Sequence, residues 1–280
     1  MHVEFENEFG KIHMSGGGQD VWRITTIEGL GPAQHQGDTV IIKGRDGQVT
    51  SSLSAMARTI TIQGDISARN SRDLLISASN ILSKEGYLKI GNGTKHRKIK
   101  ARPIAFIPER EYGGIRSFVL QFICDDPFFT DIEINNKIIS SVEKLLYKYF
   151  TIQDGIYFSK GSTKCVINNQ GFKETEPIIS ISNIGEAMQG QKLNVHNETT
   201  GHTIIVNHSL TPEDRVTIDI PNRLVFLNNE KRFDILDENS FLSDFYLQIG
   251  MNTLSIDTGN SSDRLLISCK YDNKYVEAIM

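Results

Sequence analysis

Ala57-Arg58-Thr59-Ile60-Thr61-Ile62-Gln63-Gly64 is the stretch whose reading decides the fold. Ile60 and Ile62 recur on one side, Thr59, Thr61 and Gln63 on the other, which is the period of two expected of a half-buried strand. Arg58 falls on the same side as the two isoleucines. It is therefore expected to be buried, with its charge meeting a carboxylate or a subunit boundary. From Ser71 to Lys84 the period changes. Leu74, Leu75, Ala78, Ile81 and Leu82 form one stripe of an α-helix. Asn70 or Ser71 is placed to cap it, Asp73 suits the positive end of its dipole, and Gly86 is expected to stop it in a left-handed turn.

Strands continue on the far side of this helix. Tyr87–Ile90 and His96–Arg102 flank Gly91-Asn92-Gly93-Thr94, a hairpin signal; Pro103–Pro108 and Arg116–Cys124 flank Glu111-Tyr112-Gly113-Gly114, a second one. Phe118, Leu120, Phe122 and Cys124 share one face. Asp125-Asp126-Pro127 ends that strand, because proline removes a ladder donor. Between residues 131 and 160, Ile138, Ile139, Val142, Leu145, Leu146 and Tyr149 have helical spacing, yet β-branched residues crowd the start, so helix and strand both fit. From Pro177 the pattern is short strands only: Pro177–Ser182, Lys192–His196, His202–Asn207, Arg215–Ile220, Arg223–Leu227, Phe245–Ile249, Asn252–Asp257 and Arg264–Tyr271. Such regular short strands fit a sandwich.

The chain's 280 residues suggest about two domains. With 39% hydrophobic and 23% charged residues it can bury a real core without staples. Residues 1–130 hold 16 Lys and Arg against 14 Asp and Glu, and residues 131–280 hold 14 against 20, so the halves differ in sign. This gives no support to a general polyanion binder. The start, Met1-His2-Val3-Glu4-Phe5, does not read as a signal peptide, and a cytoplasmic site of synthesis is expected. Cys124, Cys165 and Cys269 are odd in number and far apart, and read as reduced thiols.

A search for chemistry returns weak signals. Ser15-Gly16-Gly17-Gly18 and Gly44-Arg45-Asp46-Gly47 lack the phosphate-loop pattern and read as turns. His196, His202 and His208 are a candidate zinc set for a metal-dependent hydrolase, but such a site needs convergent ligands and solvent-facing strand histidines are commoner. Asp125 and Asp126 point to opposite strand faces and cannot flank one bond. No Gly-x-Ser-x-Gly elbow occurs. The basic run Lys95–Arg102 lacks interleaved aromatics and reads as a protected edge strand or a docking surface for an acidic protein rather than a nucleic-acid site. Tyr246, Phe241 and Phe245 are the aromatics through which the second half would act as a carbohydrate-binding adhesin, an alternative reading.

Taken in order, several pieces resemble the distal tail protein (Dit) family of long-tailed bacteriophages and phage-tail-like bacteriocins. They are Gly44-Arg45-Asp46-Gly47, Arg58–Gly64, the helix, Gly86-Tyr87-Leu88, Phe122–Phe129, Ile167–Gly171 leading to Pro177–Ile181, Thr200–Ile204, Arg215–Asp219, Ile249–Asn252 and Tyr271–Val276. Asn168-Asn169-Gln170-Gly171 has one residue more than the family's usual Asn-x-Gly.

The resemblance implies a mainly β protein, β-rich with one or two helices: an N-terminal ring-forming (belt) β domain with one α-helix over residues 1–130, a connecting segment over 131–165, and a galectin-like β-sandwich over 166–280. It implies structural or assembly roles for Gly47, Arg58, Gly64, Asp126, Pro127, Phe128, Gly250 and Asn252. It further implies a hexameric ring hub in a virion tail. The expected partners are copies of itself, the tail tube protein, the tape measure protein, the tail-tip or tail-associated lysin protein, and a receptor-binding protein. No enzymatic activity, cofactor, metal, membrane or sequence-specific nucleic acid is expected.

Overall fold

The computed structural model describes residues 1–17, 20–44, 46–50, 53–67, 71–93, 95–140, 164–188, 192–259 and 264–278. The chain divides into two compact units, Met1–Ile132 with the segment from Tyr275, and Glu133–Lys274. The chain is β-rich, with a single α-helix among the described residues.

In the first unit, β1 (His2–Asn7), β2 (Gly10–Ser15) and β3 (Trp22–Glu28) are followed by short paired segments, β4 (His35–Gln36) to β7 (Ser54–Ala55) by way of β5 (Thr39–Val40) and β6 (Val49–Thr50). Then come β8 (Arg58–Ser67), α1 (Ser71–Ile81), β9 (Gly86–Asn92), β10 (Lys95–Pro108), β11 (Ile115–Cys124) and β12 (Phe129–Asp131). The ladder runs β11-β8-β3-β2-β1-β9-β10, and β10 pairs with β11 as well. The sheet thus returns on itself and closes a barrel.

Alternation explains the interior. Arg58, Ile60, Ile62, Gly64 and Ile66 of β8 point inward, as do Phe118, Leu120, Phe122 and Cys124 of β11. Trp22 meets Phe118 edge-on, with ring centroids 5.1 Å apart. The seam between β2 and β3 is the weakest, a single parallel pair, Ser15 with Arg23.

Two local expectations change here. Gly86 does not stop α1 in a left-handed turn; it opens β9, and a Cβ there would lie 2.3 Å from the Glu6 carbonyl oxygen. Leu82 and Ser83 close the helix, through bonds from Leu82 N to Ala78 O (2.8 Å) and from Ser83 N to Asn80 O (3.3 Å). The basic run Lys95–Arg102 is not an open edge strand: β9 pairs it from Lys95 to Ala101, β12 covers Arg97 and Lys98 on the other side, and β11 pairs β10 from Arg102 onward to close the barrel.

The second unit is a two-sheet sandwich. Its strands are β13 (Asn135–Ser140), β14 (Lys164–Asn169), β15 (Ile178–Asn183), β16 (Leu193–Asn197), β17 (Thr203–Val206), β18 (Arg215–Asp219), β19 (Leu224–Leu227), β20 (Glu230–Lys231), β21 (Gly250–Asp257) and β22 (Leu265–Tyr271). One sheet is ordered β13-β22-β15-β18-β19-β20 and the other β14-β21-β16-β17. Ile179, Ile181, Val216 and Ile267 of the first share one core with Ile167, Val195, Ile204 and Leu254 of the second.

The expected connecting segment at 131–165 is in part structured. Asn135–Ser140 pairs with β22 inside the second unit, with Ile139 in the core, so the strand alternative holds there. The rest of that ambiguous stretch, from 141, lies outside the described residues. Phe245–Ile249 does not become a strand, and only Leu247 bridges Thr175. Buried asparagines take neighbouring carbonyls instead: Asn197 Nδ2 donates to Tyr246 O (2.8 Å) and Asn169 Nδ2 to Leu247 O (3.2 Å).

Candidate assembly surface

Arg58 is 5% exposed, and among the described residues its partners are backbone carbonyls rather than a carboxylate. Its Nη1 donates to the carbonyl oxygens of Gly29 (3.0 Å) and Gly31 (2.8 Å), and its Nη2 to that of Val276 (2.7 Å). Its guanidinium lies 4.6 Å from the centroid of the Phe129 ring. The expected ion pair is replaced by three backbone acceptors and an aromatic face, which hold both Nη atoms without importing a second charge, while the buried Nε has no hydrogen-bond partner among the described residues. Burial lowers the guanidinium pKa from its ordinary value.

The structure thereby brings together two separate motifs, Arg58 and the run ending in Phe129. Asp126 Oδ1 accepts the Phe128 backbone N–H at 3.1 Å, Pro127 is buried and Phe128 half-buried, so the motif is a tight turn that delivers Phe129 to Arg58. Gly64 allows two strands to approach closely. A Cβ there would sit 1.9 Å from the Arg23 carbonyl oxygen, beside the irregularity in the β3–β8 pairing at Ile24/Thr26. Gly250 takes a φ of +88° at the start of β21. Asn252, fully buried, donates to the carbonyls of Gln248 (2.8 Å) and Gly250 (3.0 Å) and accepts from Gln248 N (2.9 Å).

Asn183 and Asn197 work in the same way. Asn183 Nδ2 reaches the carbonyls of Glu186 (2.7 Å) and Leu210 (2.8 Å), and Asn197 Oδ1 accepts from Thr199 N (3.1 Å). Asn183 belongs to no motif that the sequence reading picks out, and Asn197 figures there only as the first residue of the turn Asn197–Gly201. The signal available is an Asn at the close of each alternating run, just before its turn.

The remaining chemical candidates disperse. His196 Nδ1 lies 2.6 Å from Thr203 Oγ1, His202 packs near Tyr246 at 6.0 Å between centroids, and His208 faces Asp214 at 3.7 Å, so each has its own partner. Phe245 is fully buried in the sandwich core and offers no face to a sugar. Four charges of β10 are held by neighbours: Arg97 by the Glu277 carbonyl (2.6 Å), Lys98 by the Ile132 carbonyl (2.8 Å), Lys100 by Glu85 (2.9 Å) and Arg102 by Asp125 (3.6 Å).

One surface stands apart. Between β4 and β7 the chain runs out and back as an arm, with Thr39 opposite Thr50 and Val40 opposite Val49, and Gly47 near its tip at a φ of +93°. Every described residue from Val40 to Ser54 is exposed. Among them are large apolar side chains, with Ile41 77% and Leu53 67% exposed, joined by Val40, Ile42 and Val49. A short two-stranded ribbon of this kind is marginal alone, and its exposed apolar side chains make it the candidate assembly surface of the first unit.

Comparison with known proteins agrees with this structure. Residues 170–275 match the family model of the siphovirus-type tail component, C-terminal domain. No curated protein sequence matches the chain. A crystal structure of SPP1 Dit, described as a paradigm of the hub adsorption apparatus in phages that infect Gram-positive bacteria, is similar at a TM-score of 0.64 and 13% identity, over 89% of this chain and 92% of that one. A chain of the phage p2 baseplate in its activated conformation with Sr is similar at a TM-score of 0.50 and 13% identity, over 95% and 97%. At these identities the likeness is one of fold. Residues 170–275 are thus similar to the siphovirus-type tail component C-terminal domain, in agreement with the resemblance to the distal tail protein family, and the fold is shared with SPP1 Dit.

Proposed function

We propose that this chain is a structural component of a bacteriophage or phage-like tail, a homo-oligomeric ring hub rather than an enzyme. The observation that carries the reading is the arm between β4 and β7, whose apolar residues Val40, Ile41, Ile42, Val49 and Leu53 are exposed. Burying a side chain of this kind contributes about 1.5–3 kcal/mol, so seating the arm on a neighbouring copy supplies a substantial part of an interface. A contact of one patch with a different patch is head-to-tail, and it closes into a ring when the rotation allows. Six copies is the number that the family resemblance implies.

In this reading the barrel units build the ring. The ring joins the tail tube and tape measure protein to tail-tip or tail-associated lysin proteins, and the sandwiches dock receptor-binding parts. The particle is put together in the cytoplasm of a host bacterium. The domain roles follow: residues 1–130 as ring former, the sandwich as docking module.

The test is size-exclusion chromatography with light scattering, and electron microscopy, on the full chain and on Ile41→Asp/Leu53→Asp. The wild type is expected to form rings, alone or with tail partners, while the variant keeps its fold and loses assembly. A wild type that stays monomeric with those partners present, or a variant that assembles as well as the wild type, overturns the reading.

A further inference from the structure

On the first unit, His2, His13 and Asp20 each offer a ligand atom, and the three atoms lie within 4.8 Å of one another. Strand pairing makes this convergence. His2 and Glu4 of β1 share the outer face of the barrel; Glu4 is opposite His13 and His2 is opposite Ser15, which places the two imidazoles on a diagonal of neighbouring strands. Their rings stack with centroids 5.8 Å apart and 25° between planes.

Asp20 arrives from the other direction, on the connection that leads into β3. His2, Glu4, His13, Lys89, His96 and Ile132 line one concavity of about 260 Å³. Glu4 is held by Lys89 at 3.0 Å through one oxygen, its other oxygen lies 3.9 Å from His13 Nδ1, and it is not one of the three converging groups.

We propose that His2, His13 and Asp20 form a binding site for a first-row divalent cation, with Zn²⁺ as the best chemical match. Two imidazoles and one carboxylate are a borderline-soft N₂O set, which zinc accepts with its remaining position open to water. Ligand atoms around tetrahedral zinc stand about 3.4 Å apart, from bonds of about 2.0–2.1 Å. The imidazoles are exposed, so rotation of their side chains closes the present spacing without moving a strand. The position also gives the ion a mechanical role. β2 and β3 meet through the single pair Ser15–Arg23, the weakest seam of the barrel, and this cation ties β1 and β2 to the segment entering β3.

The site is tested by titrating the tag-free full chain with ZnCl₂ in a calorimeter, by visible absorption of the Co²⁺ form, and by thermal melts with Zn²⁺ and with EDTA. One ion per chain is expected, together with a rise in the unfolding temperature that EDTA reverses. His13→Ala and Asp20→Ala are expected to weaken binding by more than the roughly 10–100-fold that losing an outer-shell partner costs. His196→Ala/His202→Ala/His208→Ala is expected to bind as the wild type does. Should His13→Ala fail to fold, His13→Gln replaces it at this exposed position. Absence of saturable binding, or saturable binding undiminished in the His13 and Asp20 variants, overturns the proposal.

Discussion

Arg58 Nη2 donates to the carbonyl oxygen of Val276 at 2.7 Å, a bond between residues 218 positions apart in the chain. Around it, Ala278 N donates to Leu30 O (2.9 Å), Arg97 Nη1 donates to Glu277 O (2.6 Å), and the Arg97 guanidinium lies 3.7 Å from the centroid of the Tyr275 ring. The segment from Tyr275 to Ala278 is thus part of the first unit, clasped by two arginines. Barrel stability and the last residues of the chain are one problem.

Arg58→Ala is expected to destabilise the first unit by about 3 kcal/mol, because three buried carbonyls lose a charged donor at once. Arg58→Lys recovers part of this, since a single ammonium cannot span acceptors on both sides of the fork. Deleting residues 275–280 is expected to cost a similar amount. The double change should cost less than the sum, because both remove the same bond. Urea denaturation of the four proteins reads the cycle, and strict additivity would contradict the clasp.

Gly64→Ala is expected to cost more than about 3 kcal/mol, or to prevent folding of the barrel, since the new methyl would meet the Arg23 carbonyl oxygen at 1.9 Å. A backbone oxygen fixed in a ladder cannot step aside. Gly47→Ala, at a φ of +93° in the open arm, incurs only backbone strain and leaves the barrel intact. Far-UV circular dichroism and melting of the two variants separate the cases.

Asp237 sets a pH dependence in the second unit. Bonds from Asn207 Nδ2 (3.1 Å to Oδ2) and from Asn239 N and Nδ2 (3.1 and 3.0 Å to Oδ1), with Lys192 at 3.4 Å, lower its carboxyl pKa to about 2. Its ordinary value in an unfolded chain is about 3.9. A depressed folded pKa means the contribution is complete above pH ~4 and is lost as pH falls through ~2. Asp234, paired with Arg232, shifts in the same direction, as does Asp214, where bonds from Asn228 and Thr211 outweigh burial. Asp237→Asn is expected to flatten the fall in melting temperature between pH 4 and 2, and an unchanged slope would refute the assignment.

The cysteines should differ in reactivity. Burial pushes the Cys124 and Cys269 thiols up to about 12, in Cys124 against the pull of nearby Arg58. At pH 8 about one molecule in ten thousand carries either thiolate. Cys165 is half-buried and raised as well, again by burial. A thiol reagent is expected to label Cys165 alone in the folded protein and all three after denaturation. Labelling of Cys124 or Cys269 at a comparable rate would show that the cores open.

Much of the architecture is legible where the pattern is local. β8 and β11 announce themselves by alternation and α1 by its stripe, and both hairpins flanking β10 follow from glycine turns. His2–Asn7 alternates equally well, with Val3 and Phe5 fully buried, yet its polar partners are charged and the run is short, so the pattern alone does not mark a strand. Phe245–Ile249 misleads in the opposite sense: its apolar residues are core, but buried asparagine side chains take the place of a strand partner. The basic strand misleads because a run of charges looks the same at an open edge and on the outside of a closed barrel.

The sequence by itself determined the β-rich class, the helix after β8 and the sandwich character of the second half. Those rest on side-chain periodicity, which a chain displays residue by residue. Only the tertiary structure decided that β10 closes a barrel against β11, that Arg58 donates to carbonyls rather than to a carboxylate, and that Tyr275–Ala278 completes the first unit. Every residue carries a backbone carbonyl, so no residue type marks the acceptor. An acceptor more than two hundred positions away becomes visible only once the chain has folded back upon it.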